Sequence, residues 1–225
     1  MNRHAIDDGA LLGAPREEQT LTIARNLSTR YVAIGTEMVL GLLVLPFNVA
    51  HLGPSAYGLW MLTASITAYF SVLELGYGSA VIKFVAEYRA KRDARALNEI
   101  LNTLYTVFTG MGIVAVTIAI VIAWLMPHIF NLEPDQVNTG RTILLIVAVN
   151  VGLHFNFAVY GGVVNGFQRY YLNNVIGAVT MLIAAVVNVI VLKLGYGLIE
   201  LVAATTAVRM APYYLYRRNA RAVFP

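Results

Sequence analysis

Long apolar runs separated by short polar segments recur along the chain from about residue 31 to residue 216. A bilayer core about 30 Å thick needs about 20 residues of α-helix to cross it. Backbone amides in lipid must pair within their own segment, and these runs lack the two-residue alternation of a barrel strand. The pattern predicts six membrane-spanning helices, at about 31–50, 55–78, 103–126, 142–165, 172–192 and 197–216.

The ends of the chain differ from this apolar middle. Residues 1–26 are polar and lack the continuous apolar core that a signal peptide needs. We expect 1–26 to form a cytoplasmic tail, 27–216 a six-helix transmembrane lobe, and 217–225 a second cytoplasmic tail or a truncated linker. The predicted fold class is therefore all-α, a polytopic membrane bundle.

Composition supports a membrane protein and excludes several kinds of chemistry. The chain is 58% hydrophobic and 12% charged, against roughly 25% charged residues in soluble domains. Cysteine is absent, which removes disulfides, thiolate catalysis and cysteine metal sites. The four histidines are scattered without a pair at ligand spacing, so we expect no metal and no cofactor.

The distribution of basic residues predicts the orientation. With the N-terminus inside, only Arg141 and Lys193 face outward and Arg209 lies within a span, which leaves 13 of the 16 lysines and arginines inside. Because basic residues concentrate in cytoplasmic loops, both termini are expected in the cytoplasm and the chain in the inner membrane. The net charge of +4 then reflects topology, and we expect no nucleic-acid partner.

Two ionisable side chains are predicted inside the membrane, at matching depth. Glu37 lies seven residues into the first span and Arg209 about as far from the inner end of the sixth. A charge at the bilayer centre costs on the order of 3 kcal/mol, so each one needs a partner, a cavity or water. The sequence allows an ion pair that lines a cavity or one that only fixes helix packing.

Other polar side chains repeat at helical spacing on three of the predicted spans. The stripes are Arg30, Glu37, Gly41 and Asn48 on the first span, Trp60, Thr63, Thr67, Ser71 and Glu74 on the second, and Asn150, His154, Ala158, Gly161 and Asn165 on the fourth. Interhelical hydrogen bonding explains any single asparagine or threonine. The combined stripes favour a shared wet cavity.

The segment 79–102 is apolar at its start and then basic. Val81 and Val85 precede a run of lysines and arginines, which suits an amphipathic helix on the inner leaflet, where anionic lipid attracts basic residues. A solvated helical connection explains the pattern equally well.

The stretch "LGPSAYGLWMLTASITAYFSVLELGYGSAVIKFVAEYRAKRD", residues 52–93, resembles the polysaccharide-export and oligosaccharide-flippase family of the multidrug and polysaccharide exporter superfamily. The shared features are a Leu-Gly turn before "YGLW", a Leu-(Asp/Glu)-Leu-Gly element and a following Val-Ala-Glu with basic residues. "VVNGFQRY" at 163–170 and "KLGYG" at 193–197 look like later connections of the family.

The resemblance implies one lobe of a two-lobe transporter that moves lipid-pyrophosphate-linked glycan across the membrane by alternating access. Family members have two six-helix lobes around a central cavity, and this chain has one. It is then a fragment, a truncated product or a half-transporter that pairs with a second six-helix lobe. Membrane lipids are the other expected partners.

The resemblance also implies roles for the polar residues. Arginines would attract the pyrophosphate, the two glutamates would orient them or respond to a coupling ion, and neutral stripe residues would contact sugar hydroxyls. The candidate substrate-binding set is Arg25, Arg30, Glu37, Glu74, Asn150, His154, Asn156 and Arg209.

Three alternatives stay open. An ion-coupled exporter of organic cations would use Glu37 and Glu74 as coupling carboxylates. A membrane glycan polymerase or glycosyltransferase would need paired carboxylates at a membrane face, and the short outward connections offer only Glu133 and Asp135, which look like a helix start. We therefore expect no enzyme activity. A non-transporting assembly subunit is the third alternative.

Overall fold

The computed structural model describes residues 16–70 and 77–224, and the side chains of 20–70 and 78–224. In these ranges the chain is almost entirely helical and contains no strand. The helices are α1 (Arg16–Phe70), α2 (Tyr77–Ala90), α3 (Ala94–Ile129), α4 (Pro134–Gly166), α5 (Tyr170–Lys193), α6 (Leu198–Met210) and α7 (Pro212–Val223). The prediction of an all-α membrane helical bundle is confirmed.

Four of the described helices are long and apolar enough to cross a membrane, over Thr20–Phe70, Ala94–Ile129, Pro134–Gly166 and Tyr170–Lys193. The first contains the predicted span 31–50 and residues 55–70 of the second predicted span. They meet at Gly53, whose φ of 77° and ψ of 163° interrupt the helix. A positive φ favours glycine, which has no Cβ to clash, and Pro54 follows without a backbone donor. We call residues 16–52 the N-terminal half of α1 and residues 54–70 its C-terminal half.

The sixth predicted span is divided into two helices. α6 has 13 residues and α7 has 12, so neither alone reaches the roughly 20 residues that a span needs. α6 ends at Met210 and α7 starts at Pro212, which cannot donate a backbone hydrogen bond.

α4 is the central helix and packs against each of the other six described helices. Small residues let it approach them closely. A Cβ on Gly112 of α3 would lie 2.6 Å from the carbonyl oxygen of Gly152 of α4. That is closer than real Cβ atoms come to a backbone oxygen, so only glycine fits this helix contact.

The apolar face of α2 packs on α4. Val81 and Val85 are fully buried, and Cβ atoms added to Gly162 and Gly166 would lie 2.6 and 2.5 Å from their Cγ1 atoms. The interpretation of this segment as lying on the inner leaflet by its apolar residues is therefore wrong. These valines fill the spaces above α4 glycines and are covered by protein.

The N-terminal half of α1 packs chiefly along α5, and the two run parallel. Asn26 donates to the carbonyl of Gln168 (2.9 Å) and accepts from the backbone N–H of Tyr171 (3.0 Å). Arg169, at the N-cap of α5, makes no side-chain cap bond, so Asn26 satisfies this terminus from another helix. Further along, Val44 and Val186 line one apolar groove.

Candidate functional site

A cavity of about 450 Å³ lies between the C-terminal half of α1, α4 and α6. We call it the Arg209 cavity. Its apolar lining includes Trp60, Val147 and Val202. Its polar lining residues are Thr63, Thr67, Asn150, Thr205, Thr206 and Arg209.

The predicted spans put this cavity at membrane depth, and this placement stays a prediction. Arg209 follows Leu198, the first residue of α6, by eleven residues, which is roughly 17 Å at 1.5 Å per residue. Asn150 lies midway along the 33 residues of α4. On the predicted spans, the guanidinium and the amide are therefore expected in the middle of a layer about 30 Å thick.

The cavity is richer in hydrogen-bond donors than in charged acceptors. Among the described residues no carboxylate lies within ion-pair distance of Arg209. The Nδ2 of Asn150 is buried and has no acceptor. The hydroxyls of Thr67 and Thr205 donate to carbonyls one turn earlier in their own helices, at 2.7 Å each. Arg209 lines a cavity that has no carboxylate among its described lining residues, an arrangement that suits an anionic, oxygen-rich ligand.

The ion pair that the sequence allows between Glu37 and Arg209 does not form, although both residues are described. Glu37 is exposed on the N-terminal half of α1, which packs along α5, whereas Arg209 lines the cavity between the C-terminal half of α1, α4 and α6. Equal depth fixes only the height of two side chains in the membrane. Which helices are neighbours decides whether those side chains meet.

The other predicted residues occupy separate places. The guanidinium of Arg25 stacks 3.6 Å above the ring centroid of Tyr171, and Arg30 is exposed on α1. Asn156 accepts a hydrogen bond from the hydroxyl of Thr109 (2.6 Å), which joins α4 to α3 away from the Arg209 cavity. Glu74 lies outside the described residues.

His154 lines a second, smaller cavity of about 240 Å³ between α2, α4, α5 and α7. The ring centroid of His154 is 6.4 Å from that of Tyr213. The Tyr213 ring in turn stacks on the ring of Phe157, with centroids 4.5 Å apart. The Tyr213 hydroxyl donates to the carbonyl of Asn150 (3.3 Å). Tyr213 therefore connects the His154 cavity to the Arg209 cavity.

The sequence reasoning missed Thr205 and Thr206. Thr205 precedes Arg209 by four residues and Thr206 by three, so both share its side of α6. That spacing was the available signal. Among the described residues, no group of three histidine, aspartate or glutamate side chains is placed to hold a metal ion.

Sequence comparison decides the family. Residues 23–221 match the family model described as "Polysaccharide biosynthesis protein". The chain belongs to this family. The match spans most of the chain and confirms the resemblance drawn from residues 52–93. This polysaccharide biosynthesis protein is a membrane protein with several apolar helices long enough to cross a bilayer.

A curated relative agrees with this assignment. The chain is 27% identical over 160 residues to the "Uncharacterized membrane protein EpsK" of Bacillus subtilis (strain 168). The aligned region covers 70% of the chain and 31% of that relative, so the chain spans about a third of the relative's length. No solved structure matches the chain.

Proposed function

We propose that the chain forms one lobe of a transporter that moves a lipid-pyrophosphate-linked oligosaccharide across the cytoplasmic membrane in polysaccharide biosynthesis. The observation that carries this proposal is the Arg209 cavity, which lies at the predicted mid-membrane depth and is lined by an arginine that no carboxylate of the described residues pairs. The family match supplies the biosynthetic context.

The unpaired guanidinium favours a phosphate-bearing substrate. Arginine at mid-membrane costs on the order of 3 kcal/mol, and a structural role would be served better by a buried carboxylate partner. Guanidinium groups bind phosphate oxygens in a fixed fork, and a pyrophosphate only accepts hydrogen bonds. In the proposed complex Arg209 holds the pyrophosphate, while Asn150 and the threonines contact neighbouring oxygens.

The same observation disfavours the exporter of organic cations. A cavity whose one charged lining residue, among those described, is Arg209 repels a cation. Glu37 is exposed away from this cavity, so as a coupling carboxylate it would act from another surface.

The exposed surface of α1 fits a partner lobe. The N-terminal half of α1 carries many exposed apolar side chains, and the charged side chain of Glu37 is exposed on the same half-helix. In the proposed assembly a second six-helix lobe covers the open side of the Arg209 cavity, and both chain termini lie in the cytoplasm.

Binding of a short-chain prenyl-pyrophosphate disaccharide to the purified protein in nanodiscs tests the proposal. Arg209→Ala removes a charged hydrogen-bond donor worth about 1.5–3 kcal/mol, so its Kd should rise about tenfold or more. Arg209→Lys keeps the charge without the fork and should give an intermediate Kd. Arg218→Ala, an exposed arginine that does not line the cavity, is the matched control and should leave the Kd unchanged. Equal Kd values for wild type and Arg209→Ala would refute the assignment.

A further inference from the structure

A groove of about 360 Å³ separates the first turns of α3 from the last third of α4 and the end of α7. It shares no lining residue with the Arg209 cavity. We call it the headgroup groove, and we propose that it binds the phosphate of an anionic phospholipid of the surrounding leaflet.

The predicted spans put the groove at the depth where a membrane meets water. Asn98 and Asn102 line it and directly precede the third predicted span, which starts at residue 103. Tyr105 and Tyr160 line it as well, and their rings meet edge to face with centroids 6.2 Å apart. Tyrosines concentrate at this level because their rings are apolar and their hydroxyls polar. A lipid headgroup lies at the same height.

One cation in the groove is available for a phosphate. Arg221 lines the groove and is exposed, and no carboxylate of the described residues pairs with it. The two carboxylates at the start of α3 have other partners. Asp93 accepts from the backbone N–H of Ala96 (3.0 Å), and Glu99 accepts from the Nε of Arg95 (3.2 Å). Neither neutralises the guanidinium.

The remaining lining suits the rest of a phospholipid. Asn98, Asn102 and Tyr105 follow one face of α3 at spacings of four and three residues, so their amides and hydroxyl surround the phosphate position. Leu101 and Val163 supply apolar contacts for the first methylene groups of the acyl chains. Basic pockets between transmembrane helices on the cytoplasmic side are typical sites for anionic headgroups.

Native mass spectrometry with added phosphatidylglycerol or phosphatidylcholine tests the groove. Wild type should retain phosphatidylglycerol in preference to phosphatidylcholine, and Arg221→Ala should weaken that retention about tenfold. Asn102→Leu should weaken it to a smaller extent. Arg218→Ala removes an arginine of the same helix that does not line the groove and should change retention less than about twofold. Unfolding midpoints in lipid-free detergent should be equal for all four proteins.

Three results would overturn the proposal. The first is equal loss of retention in Arg221→Ala and Arg218→Ala, which would mean diffuse attraction to the helix. The second is equal retention of both lipids by wild type. The third is displacement of phosphatidylglycerol by millimolar inorganic phosphate, which would identify a free-anion site.

Discussion

The side chain of Arg141 donates the hydrogen bond that Pro127, which has no backbone N–H, cannot donate to the carbonyl of Ala123. Pro127 lies inside α3, so the carbonyl of Ala123, four residues earlier, has no helical N–H to accept from. The Nε of Arg141, on α4, donates to this carbonyl at 2.8 Å, and its second terminal nitrogen donates to that of Trp124 at 3.2 Å. Ala123 is buried, so loss of Arg141 leaves this carbonyl without the hydrogen-bond partner that it has in the structure.

A double-mutant cycle measures this replacement. Arg141→Ala should lower the free energy of unfolding by about 1.5–3 kcal/mol, the range for hydrogen bonds from a charged donor. Pro127→Ala returns a backbone N–H to the Ala123 carbonyl, so in that background the same loss should shrink by at least about 1 kcal/mol. The assay is reversible unfolding of the four proteins in mixed detergent micelles, followed by tryptophan fluorescence.

Additivity would refute this reasoning. If the two substitutions add to within about 0.5 kcal/mol, Arg141 and Pro127 do not act on the same carbonyl. Lys193→Ala, which removes the other basic residue predicted to face outward, is the matched control. Lys193 is exposed and makes no ion pair with a described residue, so its loss should change the free energy by less than about 0.5 kcal/mol.

Three further predictions concern helix packing, charge and topology. Gly112→Ala should destabilise the fold by about 1–3 kcal/mol, because the new methyl group meets the α4 backbone. Gly110→Ala is the control: nothing lies within 4 Å of that position, so the change should be neutral or stabilising by up to about 1 kcal/mol. Equal unfolding free energies for the two variants would contradict the close contact. The hydrogen bond and charge of Lys91 lower the pKa of Glu87. NMR titration should show that Lys91→Ala raises this pKa; since the folded pKa is the lower one, the pair's stabilisation is present above the unfolded pKa and is lost as pH falls through the folded pKa. Arg92→Cys in this cysteine-free chain should react with an impermeant maleimide only after the cells are opened, and labelling of intact cells would reverse the proposed orientation.

The sequence predicted the helices better than their arrangement. Apolar runs predicted helices in a membrane because lipid leaves the backbone no other partner. The spacing of Thr63, Thr67 and Asn150 predicted surfaces turned toward other helices, and these side chains do line one cavity with Arg209. Their role in substrate binding stays a prediction.

The misplaced residues share one physical cause. Glu37 matched Arg209 in depth but lies on another side of the bundle, and Val81 faces α4 glycines that its own segment does not reveal. Periodicity gives the face of a helix on which a residue lies. The neighbour of that face depends on tertiary packing between residues far apart in sequence, which a local pattern does not contain.

The contact between Asn26 and the start of α5 has a consequence for biosynthesis. These partners are 145 residues apart in the chain, and at about 5–20 residues per second the ribosome makes the second roughly 7–30 s after the first. During that interval α1 is already synthesised, but the α5 terminus that the Asn26 side chain caps does not yet exist. Closure of the bundle by this pair is therefore a late step of assembly, which cannot precede the synthesis of Tyr171.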